Sequence, residues 1–266
     1  MVESADRVLR LLELFRPGDH DLTLSAIAER MSLPKSSVHR LLATLIAREF
    51  VERDPLTRRY RLGLRVFEIG SVAIHERGLH RAAHPVVEQL ATANGETCHL
   101  AVLSGTDAVY VYKIDGGRSI TMSSRVGGRA PCYCTSIGKV LIAWAGLQTF
   151  DRIAATTFNA FTPNTIVSKE ALAGELEKVR REGYALDLEE FEVGLRCISA
   201  PVRDHTGNVL AALGLAGPTV RLTMDRLREL VGPVIEAAEA VSHNLGYVSQ
   251  QSHGARARAA QVAARA

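Results

Sequence analysis

Along the first residues Val8, Leu11, Leu12 and Phe15 recur at helical spacing and Pro17-Gly18 closes the run, which predicts an amphipathic helix of about four turns. A second, shorter helix is expected from a Thr23 cap to Met31, with Ile27, Ala28 and Met31 turned inward. Ser32-Leu33 makes the turn after it, and Pro34 suits the first position of a third helix, where the N–H it lacks would have no intrahelical partner. On that third helix Val38, Leu41, Leu42 and Leu45 form one apolar stripe. Ser36, Arg40, Ala43 and Ala47 then fall on the opposite face, flanked by His39 and Thr44. The stripe is ordinary core. The opposite face carries small and hydrogen-bonding side chains near the helix start, where a helix entering a DNA groove needs them. Phe50-Val51-Glu52, the turn Asp54-Pro55-Leu56-Thr57 and the alternating Arg59-Tyr60-Arg61-Leu62 follow as a hairpin tipped by Arg58 and Arg59. Helix, turn, helix and basic-tipped hairpin over 1–62 are the plan of a winged helix-turn-helix, against the blander alternative of a small helical bundle with an incidental hairpin.

From 63 to 79 a mostly apolar helical segment (Leu64, Phe67, Ile69, Val72, Ala73) reads as a linker helix, more hydrophobic than an exposed linker should be and therefore suited to packing on another chain. The stretch 80–248 reads as a separate α+β domain. Helices are expected near Arg81–Asn94, Ile137–Ala145, Lys169–Glu182 (Ser168 cap, Gly183 stop) and Met224–Leu245 (Thr223 cap, Gly246 stop), with Pro85 and Pro233 delaying or kinking the first and last. Two hairpins lie between them, Thr97–Leu103 with Ala108–Ile114, and Cys197–Val202 with Val209–Ala216, which together imply an antiparallel sheet. Beyond 248 the chain turns Ala/Arg-rich, and a disordered tail over 249–266 able to touch DNA nonspecifically is expected.

Composition sharpens this picture in three places. The 266 residues are 47% hydrophobic with a net charge of only +3, yet Arg30 to Arg61 holds eight basic residues against three acidic ones, the local footprint of a polyanion contact. The longest apolar runs, Val140–Leu147 and Val209–Gly217, are too short to span a membrane, and no secretory signal opens the chain. Four cysteines (Cys98, Cys132, Cys134, Cys197) argue against a disulfide scaffold and for a reduced, cytoplasmic protein.

Competing chemistry is thin. Asp187, Glu189 and Glu190 with Cys197 or Ser136 as nucleophile would be the best enzyme candidate, but no base stands at a recognisable spacing. Gly138-Lys139 lacks the preceding glycine and following Ser/Thr of a phosphate-binding loop. His80/His84 and Cys132/Cys134 invite a zinc reading without supplying a complete ligand set. No catalytic residues, cofactor or metal are expected.

Three dispersed stretches, Leu33-Pro34-Lys35-Ser36-Ser37-Val38-His39-Arg40-Leu41-Leu42, Thr135-Ser136-Ile137-Gly138-Lys139-Val140-Leu141-Ile142-Ala143, and the run Glu182-Gly183-Tyr184 through Gly194-Leu195-Arg196-Cys197-Ile198-Ser199-Ala200-Pro201-Val202, give the chain a resemblance to the IclR family of bacterial transcriptional regulators. The resemblance implies a winged helix-turn-helix, a linker helix and a GAF-like effector domain, assembled as a homodimer or a dimer of dimers on pseudo-palindromic double-stranded operator DNA. It also implies that a small organic acid changes operator affinity. In the DNA-binding domain Ser36, Ser37, His39 and Arg40, with Thr44 beside them, would face base edges and phosphates, and Lys35, Arg58 and Arg59 would neutralise phosphates. Carried over by position, the effector pocket would be lined by Met122, Ala130, Ser136, Ile137, Asp187, Cys197, Gly214 and Ala216. Glyoxylate- and pyruvate-responsive relatives carry serines at the positions of Gly214 and Ala216. Their loss here leads to the expectation of gained space and of a larger acid, aromatic for example, bound at Ser136 and the helix start behind it. Repression and activation both stay open, as do two alternatives: an enzyme with an accessory DNA-binding domain, and a ligand-independent DNA-binding protein.

Overall fold

The computed structural model describes residues 2–15, 21–75, 78–117 and 124–248. The chain divides into two compact units, Met1–Arg77 and Gly78–Ala266. In the first, α1 (Glu3–Leu12), α2 (Leu24–Met31) and α3 (Lys35–Ala47) pack around Leu11, Ile27, Met31, Val38, Leu42 and Leu45. The α1 helix ends at Leu12, a turn earlier than the periodicity predicts, and Pro17-Gly18 lie outside the described residues. Thr23 caps α2 by accepting from the Ala26 N–H, and Ser32 turns the chain with a positive φ. Pro34 precedes α3 in an extended conformation instead of occupying its first turn, so the helix begins at Lys35.

The hairpin is β1 (Val51–Arg53) paired with β2 (Tyr60–Leu62). Tyr60, which is buried, also exchanges both backbone hydrogen bonds with Leu22, so the wing is stitched to the segment ahead of α2. Then α4 (Leu64–His75) exposes Leu64, Phe67 and Ile69. The helical linker is described as far as His75, and it does not run through to 79, because Gly78 has a positive φ and a new helix starts at Leu79.

The second unit is a six-stranded, fully antiparallel sheet in the order β5-β4-β3-β8-β7-β6, built from β3 (Thr97–Ser104), β4 (Asp107–Ile114), β5 (Arg129–Pro131), β6 (Ala185–Leu188), β7 (Leu195–Arg203) and β8 (Val209–Pro218). One face packs on α5 (Leu79–Asn94) and α9 (Met224–Asn244) through Leu100, Ile198, Leu213 and Leu215. The other carries α6 (Ser136–Ala143) and α8 (Lys169–Glu182), and α7 (Leu147–Ala154) joins them. Pro85 and Pro233 neither delay nor end their helices. Both are solvent-exposed, as are Arg81 and Glu229 one turn earlier, so the carbonyls that lose a partner face water. The expected antiparallel sheet is present. The chain pattern did not point to α7, β5 or β6, and the tail over 249–266 lies outside the described residues.

Glu96, 4% exposed at the end of α5, receives a bidentate pair from Arg221 beyond β8, with Nε–Oε1 at 2.6 Å and Nη2–Oε2 at 2.7 Å. Arg221→Ala leaves that carboxylate buried without its fork and is expected to cost about 3–5 kcal/mol. Urea unfolding of the full chain checks this, and a loss under about 1 kcal/mol, typical of surface pairs, contradicts it.

Candidate DNA-contact surface and effector cavity

The apolar stripe of α3 fixes which residues look outward. Val38, Leu42 and Leu45 are buried and Leu41 is half-buried, so Lys35, Ser36, His39, Arg40, Ala43, Thr44 and Ala47 are exposed, with Ser37 at the margin. Most of these side chains stay uncommitted to other elements. The Thr44 hydroxyl instead donates to the Arg40 carbonyl one turn back, at 3.2 Å. At the wing, Asp54 Oδ1 accepts from the Leu56 and Thr57 N–H groups at 2.9 and 2.7 Å, and these bonds hold its carboxyl below the usual range. Arg58 completes the turn with a positive φ and is exposed. Arg59 also lies on the surface, but its Nη1 donates to the Asp21 carbonyl at 3.0 Å, which ties it to the base of the wing rather than its tip.

In the second unit the sheet's register assembles the floor of a cavity. Cys197 pairs with Asp187 on one side and Ala216 on the other, and two residues along, Gly214 stands between Ser199 and His99. The start of α6 closes the space from above: Thr135 caps the helix by accepting from the Gly138 N–H, and Ser136 and Ile137 face inward. Gly138 cannot be replaced there, since a Cβ would stand 2.3 Å from the Cα of Cys132. The space between these walls is tight, a cavity of about 20 Å³ that opens toward solvent. Of the expected lining, Ser136, Ile137, Asp187, Cys197, Gly214 and Ala216 come together around it. Ala130 does not: it is packed in the core beside Ala108 on β4. Met122 lies outside the described residues.

Tyr110, Phe191, Leu195 and Ser199 line the cavity without having been anticipated. Ser199 matters most. A Cβ at position 214 would stand 2.2 Å from Ser199 Oγ and 2.7 Å from the Ile198 carbonyl. The glycine therefore does not enlarge the cavity, as expected from the missing serine, but admits a hydroxyl from the neighbouring strand. Ser199 Oγ in turn lies 2.7 Å from Ser136 Oγ.

Electrostatics around the cavity are set by burial. Burial pushes Asp187 up to about 7, against the Glu190 N–H that Oδ1 accepts at 2.8 Å; the Glu190 charge adds to the rise and Lys139 opposes it. Burial drives His99 down to about 3, helped by Lys113, and raises the Tyr110 hydroxyl and the Cys197 thiol. Behind the site Lys139, 1% exposed, places Nζ 2.6 Å from Glu190 Oε1 and 3.4 Å from Glu175 Oε1, while Glu190 Oε2 is buried with no partner among the described residues. The Thr162 and Thr165 hydroxyls donate to the backbone carbonyls of Glu189 and Glu190, both at 2.6 Å. Phe191, on the same loop, meets Phe161 edge-on at 5.0 Å.

Residues 71–243 match the bacterial transcriptional regulator IclR C-terminal family, and residues 4–55 match the IclR helix-turn-helix domain. The chain belongs to the IclR family. It is 36% identical to the HTH-type transcriptional regulator XynR of Escherichia coli, over 93% of this chain and 98% of that protein. The crystal structure of the Thermotoga maritima IclR superposes with a TM-score of 0.76 at 30% identity, covering 93% of this chain and 100% of that one. An IclR homologue from Microbacterium hydrocarbonoxydans, complexed with 4-hydroxybenzoate, superposes with a TM-score of 0.82 at 28% identity, over 91% and 99% of the two chains. As an IclR-family member this chain is an HTH-type transcriptional regulator with an N-terminal helix-turn-helix domain and the family's C-terminal domain. Among the described residues no helix is long and apolar enough to cross a membrane.

Two outcomes follow from the buried charges. Lys139→Ala strands Glu190 and is expected to cost about 3–5 kcal/mol, whereas Lys139→Met combined with Glu190→Gln costs much less; chemical denaturation separates the two. For Asp187 the folded chain keeps a proton that the unfolded chain releases above the ordinary aspartate value of 3.8, so its contribution to stability falls as pH rises from there to about 7. Asp187→Asn, fixed neutral and still able to accept from Glu190, is expected to flatten that fall and to be the more stable chain at about pH 8. Thermal midpoints across this range decide it, and unchanged slopes would contradict the assignment.

Proposed function

We propose that this regulator acts in the cytoplasm as a homodimer or dimer of dimers on pseudo-palindromic operator DNA, and that a small organic acid in the cavity beside Ser136 changes its operator affinity. The observation that carries the reading is the small, partly open, mainly apolar cavity whose polar groups converge at the start of α6, in a chain whose other unit presents an uncommitted, hydrogen-bonding face of α3. An effector acts here by binding one arrangement of the molecule more tightly than another, so that affinity for ligand and for operator are linked.

Several features support the details. Ile137, Phe191 and Leu195 suit an acid with an apolar body, for which the walls must part, in keeping with the 4-hydroxybenzoate held by the Microbacterium relative. Retention rather than turnover fits the lining: Ser136 has a serine and not a base as its partner, and burial keeps the Cys197 thiol protonated. Self-association fits the exposed Leu64, Phe67 and Ile69 of α4, and a single recognition helix reads too few base pairs to be selective alone. On DNA, Ser36, Ser37, His39 and Arg40 serve as base and phosphate contacts, Thr44 packs beside them, and Lys35 and Arg58 neutralise phosphate, with Arg59 acting more as a brace for the wing.

Arg40→Ala is expected to cost about 1–3 kcal/mol on the selected operator and to relax preference at one position, while Arg58→Ala weakens all duplexes alike. Sites selected from random duplexes, followed by anisotropy titrations at several salt concentrations, test this; equal losses for Arg40→Ala on selected and random DNA refute its base-reading role. A thermal-shift screen with 4-hydroxybenzoate, glyoxylate and pyruvate tests the effector role, since a ligand at about 100 times its Kd adds about 2.7 kcal/mol. A ligand that raises the midpoint and changes operator affinity supports the reading, and one that binds without changing operator affinity counts against it.

A further inference from the structure

The polar end of the cavity is a pair of facing hydroxyls, and the one cation close behind it, Lys139, is already taken up by Glu190 and Glu175. Ser136 Oγ, at the first position of α6, and Ser199 Oγ, on β7, are 2.7 Å apart on residues each 1% exposed. Each hydroxyl has one proton, so when one O–H is directed at the partner oxygen the other remains to be donated elsewhere. The geometry of β8 permits this pair: Gly214 lies opposite Ser199, and any side chain there would occupy the place of its Oγ. Ser136 also opens a helix whose positive end, with only the Gly138 N–H taken by the Thr135 cap, favours an anionic oxygen. Among the described lining residues there is neither lysine nor arginine, His99 is held neutral, and Asp187 brings the only carboxyl.

We infer that Ser199 is a positioning residue for the effector: it orients the Ser136 hydroxyl toward one carboxylate at the start of α6, in a cavity that takes monocarboxylates with an apolar body and turns away dicarboxylates and phosphorylated acids. This rests on the effector-binding reading above. One carboxylate is met by the free O–H and the helix start. A second charge would have to give up its water among Ile137, Phe191, Leu195 and the Asp187 carboxyl, with no lysine or arginine among the described lining residues to receive it.

Calorimetric titration of the full chain with 4-hydroxybenzoate, pyruvate, terephthalate and succinate tests this, with operator binding measured in parallel. At least one monocarboxylate is expected to bind, and its dicarboxylate counterpart to bind at least about tenfold more weakly. Ser199→Ala should weaken the monocarboxylate roughly three- to tenfold, the size of one hydrogen bond, and so should Ser136→Ala. The double variant should bind no more weakly than Ser136→Ala alone, because a residue acting only through Ser136 has nothing left to orient. Should Ser199→Ala fail to fold, Ser199→Cys, similar in size and a weaker partner, reads the same loss. Unchanged binding by Ser199→Ala, losses that multiply in the double variant, or equal binding of the dicarboxylates overturns the inference while leaving the effector reading intact. A wild-type chain that binds none of the four probes and holds its operator unchanged overturns both.

Discussion

An ammonium group buried to within 1% of full enclosure has to find its countercharge inside the protein, and Lys139 finds it on Glu190. Everything around the cavity hangs from that pair. Lys139 belongs to α6 and Glu190 to the loop after β6, so the contact ties the helix that supplies Ser136 to the segment that supplies Asp187 and Phe191. Buried pairs of this kind add little net stability compared with an apolar replacement, but they heavily penalise any arrangement in which the partners separate. The Thr162 and Thr165 hydroxyls reinforce the same loop by saturating its carbonyls. The result is a site whose two walls are set against each other by charge and whose lining is otherwise apolar.

Within those walls the sheet decides which side chains meet. Antiparallel register alone brings Asp187, Cys197 and Ala216 into one row and Ser199, Gly214 and His99 into the next. Because side chains alternate, the intervening Ile198 and Leu215 point to the opposite core against α5 and α9. A single strand such as β8 thus lines the cavity with one set of residues and the hydrophobic interior with the other, which is why a small residue at 214 and a large one at 215 are equally demanded.

Much of this was legible in the chain itself. Thr23, Ser168 and Thr223 each read as caps, and each accepts the N–H three residues on. The periodicity of α3 separated core from outward face correctly. What escaped was either short or non-local. Strands β5 and β6 have three and four residues, too few for alternation to register, and they exist because a neighbouring strand offers a ladder. Ser199 escaped for a subtler reason. Pairing counted back from the turn at Asp204–Asn208 would set Ser199 against Leu213, but a register shift between Val202 and Arg203 moves it to Gly214. The shift has no sequence mark, so the glycine looked like empty space when it is a receptacle for the serine. The exposed prolines of α5 and α9 misled in the same way: their cost depends on whether water can reach the abandoned carbonyl, which is a property of the surface and not of the local sequence.

The stitching of the wing to the residues before α2 has a consequence for the kinetics of any encounter. Two strands of three residues would not hold their shape alone, and a wing that ordered only on contact would subtract the lost chain entropy from every association. Here the reciprocal bonds between Leu22 and Tyr60, with the guanidinium of Arg59 clasping the Asp21 carbonyl, settle that cost during folding. The wing is therefore shaped before any encounter, and whatever it contributes to an association would appear as a higher fraction of productive collisions, not as a conformational step after them.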